Sequence, residues 1–103
     1  MSSRATGEAS VRMYSQPSLD ASGRPFDAVT IDAVWNKAEP SNDHPPLRVD
    51  SAGALIWRQG YGNLNSKFGW VIGHRLPLGD GGGDELDNLV PMQWENSRHN
   101  GYA

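Results

Sequence analysis

Residues 70–100 read WVIGHRLPLGDGGGDELDNLVPMQWENSRHN, and the reading of this stretch decides the fold. Its first part, with Phe68 and Gly69 before it, is dense in β-branched and aromatic residues. It therefore predicts a strand that delivers His74 at its end. LPLGDGGGDELDN follows as a long glycine-rich loop. Pro91 then suits the first position of a helix, because its missing N–H would find no partner there. A final helix over about 91–100 is expected.

Working outward toward the N-terminus, RVDSAGALIWRQGYG places a short strand at Ala54–Trp57 between Gly53 and Gly60, before the turn-rich GYGNLNS. Upstream, Phe26, Val29, Ile31, Val34 and Trp35 recur at helical spacing, with Asp27 or Thr30 available as N-cap. The pattern predicts a helix over 27–38, ended by Pro40 and the SNDHPP segment. Residues 1–26 hold six serines and no sustained period, and read as an extended or disordered arm. The expected order is arm, helix, hairpin, loop, helix: an α+β domain over 27–103 behind an arm over 1–26.

Composition narrows the function classes. The 103 residues allow a single domain, and the absence of cysteine excludes a disulfide, a thiolate zinc site and a cysteine nucleophile. A mean hydropathy of −0.60 and the lack of an apolar run near twenty residues argue against membrane insertion. No apolar signal region opens the chain, so the expected location is intracellular: the cytoplasm, or an organelle matrix such as the mitochondrion. A net charge of −3 disfavours nucleic acid as partner, since backbone affinity comes from cations that neutralise phosphates. From His74 onward Asp80, Asp84, Glu85, Asp87 and Glu95 face only Arg75 and Arg98.

Several pieces, in order, carry a resemblance: RVDSAG-ALI, the YG pair, the GW that opens the second strand, His74 with Pro77, the GG-D loop, Asn88-Leu89 and MQWEN-R. Over residues 27–101 the chain resembles the HNH endonuclease family in its small bacterial and phage form. The resemblance implies a ββα-metal (His-Me finger) fold, with hairpin, loop and helix around one Mg²⁺ or Mn²⁺. It puts His74 at the general base, where a neutral imidazole suits the activation of water at neutral pH. It also puts Asn88 where an amide ties loop to strand and keeps the base oriented.

The chain departs from the family where the metal would bind. Gly73 stands where the family carries Asp or His. Ser97 occupies the final-helix ligand position, a weaker ligand for a dication than carboxylate or imidazole. Asn96 and His99 lie beside it at the wrong helical angle, and Asp50 is a further candidate ligand. Trp57, Trp70 and Trp94 are expected in the core. The expectation is thus a pseudoenzyme that binds no cofactor and serves as accessory subunit of a larger protein assembly, docked through its arm. The alternative is a Mg²⁺-dependent HNH endonuclease that cleaves DNA phosphodiester bonds with His74 as base, its lost ligands replaced by Asp50, Asn96 or His99.

Overall fold

A computed structural model describes residues 18–100, with side chains to Ser97. It is a small α+β domain with two antiparallel sheets. The first helix, α1, spans Ala28–Trp35. The Asp27 carboxylate accepts from the Thr30 N–H at 2.8 Å, satisfying one of the orphan amides of the first turn. Helical spacing then buries Val34 and packs Ile31 and Trp35 on the core, while Val29 faces solvent. The helix is shorter than the expected 27–38. After Asn36 the chain tightens into three-residue bonds, from Lys37 N–H to Val34 C=O and from Ala38 N–H to Trp35 C=O. The proline at 40 pushes residue 39 into an extended conformation.

Strands β1 (Glu39–Pro40), β2 (Arg48–Val49) and β3 (Leu55–Ile56) form a three-stranded meander. Arg48 lies opposite both Pro40 and Ile56. Strands β4 (Trp70–His74) and β5 (Leu89–Gln93) form the second sheet, with Trp70 opposite Gln93 and His74 opposite Leu89. Helix α2, Trp94–Asn100, follows β5 directly. Among the described residues no helix is long and apolar enough to cross a membrane.

The pairing of the strand at 55–56 and the place of Pro91 differ from expectation. The strand at 55–56 pairs with β2 and not with β4, because residues 57–69 form a compact turn region between them. A Cβ on Gly69 would stand 1.8 Å from the Asn63 carbonyl oxygen, so glycine is required for that close approach. Pro91 does not start a helix; it sits inside β5, and α2 begins three residues later. Its partner across the ladder is Ile72, whose N–H turns away from β5 to the Ser18 hydroxyl at 2.7 Å. A residue without an N–H therefore costs this ladder nothing.

The core joins Phe26, Val34, Ala38, Ile56, Trp70, Ile72 and Leu89. Trp70 is fully buried, with its ring 4.9 Å from Tyr61 and 5.5 Å from Trp35. Trp57, expected in the core, is 43% exposed, and Trp94 is half-buried, its indole N–H donating to the Ser66 carbonyl. Residues 18–26, read from sequence as part of the arm, pack on the domain, and Phe26 belongs to the core. Residues 1–17 of the expected arm lie outside the described residues.

Candidate functional site

His74 ends β4 with only 3% of its surface exposed. Its Nε2 lies 2.9 Å from Asp84 Oδ1, and its ring is tilted against Phe26 at a centroid distance of 6.1 Å. Asp84 was not singled out by sequence reasoning. It sits ten residues on, in the glycine-rich loop. No period or spacing links such a residue to a strand end, because the contact depends on how the loop folds back. That return is visible at Gly81, with φ of 97°, and at Gly82, where a Cβ would fall 1.7 Å from the Leu76 carbonyl oxygen. The Gly82 N–H donates to the Pro77 carbonyl and closes the turn.

Asn88 fastens the other end of this loop. Its Oδ1 accepts from the Leu76 N–H at 2.8 Å, and its Nδ2 donates to the carbonyls of Leu76 at 3.1 Å and Gly83 at 2.9 Å. The Arg75 N–H continues the ladder to the Asn88 carbonyl at 2.9 Å. One amide thus spans both sides of the loop that carries Asp84 to His74. Lys37 supports the same region from the turn after α1, its ammonium donating to the carbonyls of Leu86 and Leu89. Burial depresses its pKa, with Asp87 opposing that shift and Arg75 adding to it. An open depression beside the loop is lined by Arg75, Leu76, Glu85, Asp87 and Asn88.

The other sequence-predicted residues do not gather around His74. Asp50 is buried at the opposite end of the β4–β5 sheet. Its Oδ1 accepts from the N–H groups of Ala52 and Ala54, and its Oδ2 from that of Gln93 at 2.7 Å. Gln93 lies four residues along β5 from the partner of His74, about 13 Å at strand rise. Gly73 is buried opposite Val90 and contributes no donor atom. The buried Ser97 hydroxyl donates to the Trp94 carbonyl at 2.8 Å. Asn96 is half-buried, and its backbone N–H donates to Gln93 Oε1 at 3.0 Å. The side chain of His99 lies outside the described residues.

The described positions do not gather into a ligand set at His74. Its Nε2 is taken by Asp84, Gly73 has no ligand atom, the Ser97 hydroxyl is committed within its helix, and Asp50 is spent on backbone amides a sheet-length away. Among the described residues no group of three His, Cys, Asp or Glu is arranged to share an ion. What the arrangement does provide is a buried imidazole against the carboxylate of the exposed Asp84, held by a loop that Asn88 and Lys37 brace. In comparisons with known proteins no family model, no curated protein and no solved structure matches the chain.

Proposed function

We infer that the chain is a degenerate HNH-type domain with the ββα-metal fold, non-catalytic, serving as an accessory or structural subunit of an intracellular protein assembly. The order β4, loop, β5, α2 supports the fold reading, with His74 closing the first strand and Asn88 bridging the loop. The loss of catalysis rests on one observation. A general base must meet water and a phosphodiester, yet His74 is 3% exposed, bonded to Asp84 and covered by Phe26. A protein partner is favoured by the acidic balance of the chain and by Leu76, Leu78 and Leu86, all at least 39% exposed on the loop that carries Asp84. Calorimetry with Mg²⁺ and with Mn²⁺ on the full chain and on His74→Ala tests the reading. It predicts no submillimolar binding that depends on His74; such binding, weakened in the variant, contradicts it.

The His74–Asp84 contact favours one second reading, an HNH endonuclease acting on DNA. A carboxylate beside an imidazole fixes the ring and steadies the imidazolium formed when a base takes a proton. Under this reading His74→Ala abolishes cleavage of DNA, and under the first it changes no cleavage.

A further inference from the structure

Arg75, Leu76, Glu85, Asp87 and Asn88 line the open depression beside the glycine-rich loop, and all but Asn88 are exposed. The depression carries charges of both signs. Among the described residues the ion pairs are Arg58–Asp32 and His74–Asp84, so Arg75, Glu85 and Asp87 share a wall without pairing. Lys37 adds a second cation behind them, since its ammonium donates to the Leu86 carbonyl and is acted on by the charges of both Asp87 and Arg75. Two cations thus offset two carboxylates. Asp84, the neighbouring acid, is already engaged with the His74 imidazole and the Ala21 N–H. Leu76 lies within this charged frame, and Leu86, between Glu85 and Asp87 in sequence, is exposed as well. A single exposed leucine needs no partner. Here the charges around it select one.

A uniformly acidic wall requires a basic partner and cannot face a copy of itself. A wall that holds cation and carboxylate side by side can, because a two-fold axis sets residue i of one chain against j of the other, and j against i. We propose that this depression is the contact face of a symmetric homodimer, in which Leu76 packs at the two-fold axis and Arg75 of each chain meets Glu85 and Asp87 of the other. This rests on the reading of the leucine-bearing loop as a protein-docking surface and names its occupant, a second copy of the chain. A face built around one loop lies at the small end of stable interfaces, so association is expected at about micromolar concentration or weaker.

Sedimentation velocity of the full chain, from about 1 μM to about 1 mM, tests it. A reversible monomer–dimer equilibrium is expected. Arg75→Glu and the double variant Glu85→Lys with Asp87→Lys each set like charges across the axis, and each should weaken self-association at least about tenfold. Mixed in equal amounts, the two variants restore opposite charges at both contacts, so the mixture should dimerise about as tightly as the wild type. A wild-type chain that stays monomeric at about 1 mM overturns the proposal. So does a dimer that neither variant weakens, or a mixture that associates no better than the variants alone. Should the double variant fail to fold, Arg75→Glu decides, and a dimer that it leaves unchanged overturns the face. A monomer sinks the self-partner alone, because the non-catalytic reading stands or falls with the metal titration, which does not read oligomeric state.

Discussion

Asp50→Ala is the substitution whose cost the structure specifies best. The carboxylate is 5% exposed and accepts three backbone N–H groups, two from the turn that leads into β3 and one from Gln93 at the end of β5. It therefore ties the meander to the second sheet. The Gln93 bond lies in buried surroundings, where a hydrogen bond to a charged acceptor contributes about 1.5–3 kcal/mol. The turn amides are partly buried and water replaces much of their loss, about 0.5–1.5 kcal/mol each. Together the substitution costs about 3–5 kcal/mol, a large share of the roughly 5–10 kcal/mol expected of a domain this size. Urea unfolding followed by the fluorescence of buried Trp70 measures it, and the melting temperature should fall by more than about 12 °C. Asp50→Asn keeps one acceptor but turns an amide NH₂ toward a donor, and should fall between the two. Added Mg²⁺ should restore neither. A loss below about 1 kcal/mol, or rescue by Mg²⁺, refutes the assignment of Asp50 to a structural role.

Asn88→Ala leaves the Leu76 N–H and the Leu76 and Gly83 carbonyls without their side-chain partner. It should destabilise the chain by about 2–3 kcal/mol in denaturant unfolding and speed hydrogen exchange across 76–88. Gly82→Ala forces the loop away from the Leu76 carbonyl. It should raise the reactivity of His74 toward diethyl pyrocarbonate, since Asp84 is carried by that turn. Lys37→Met removes the ammonium from the Leu86 and Leu89 carbonyls and should cost about 1–3 kcal/mol in the same unfolding assay. Asp20 is held below the usual carboxylate range first by its bond from the Arg24 N–H, and Asp27 by its bond from the Thr30 N–H. A depressed folded pKa means stability that is present above the unfolded value and lost as pH falls through the folded one. Unfolding measured from neutral to acid pH should therefore show a shallower acid loss in Asp27→Asn, which keeps a capping oxygen without the titration; identical acid profiles contradict this.

The elements legible in sequence were those whose signal is local. Asp27 and the spacing of Ile31, Val34 and Trp35 mark α1, and the run ending at His74 marks β4, because capping and β-rich composition act within a few residues. Pro91 misled for a physical reason. Its missing N–H suits a helix start and a strand position facing away from the ladder equally well, and only the pairing of Ile72 with Ser18 tells them apart. Trp57 misled similarly, since a large aromatic signals burial, yet the strand ends at Ile56 and Trp57 begins the turn that follows, 43% exposed. At the candidate site His74 and Asn88 were found by motif. Asp84 was not, as its contacts with His74 and with the Ala21 N–H span ten and sixty-three residues. Asp50 was noticed as a carboxylate in a promising place. That its oxygens were already committed to amides is a tertiary fact.

Incubation of supercoiled plasmid with stoichiometric full-length protein and Mg²⁺ or Mn²⁺, beside His74→Ala, tests the central claim most directly. A degenerate domain predicts that both proteins leave the plasmid equally intact. Metal-dependent nicking by the wild-type chain that disappears in His74→Ala would contradict it and make the protein a working nuclease.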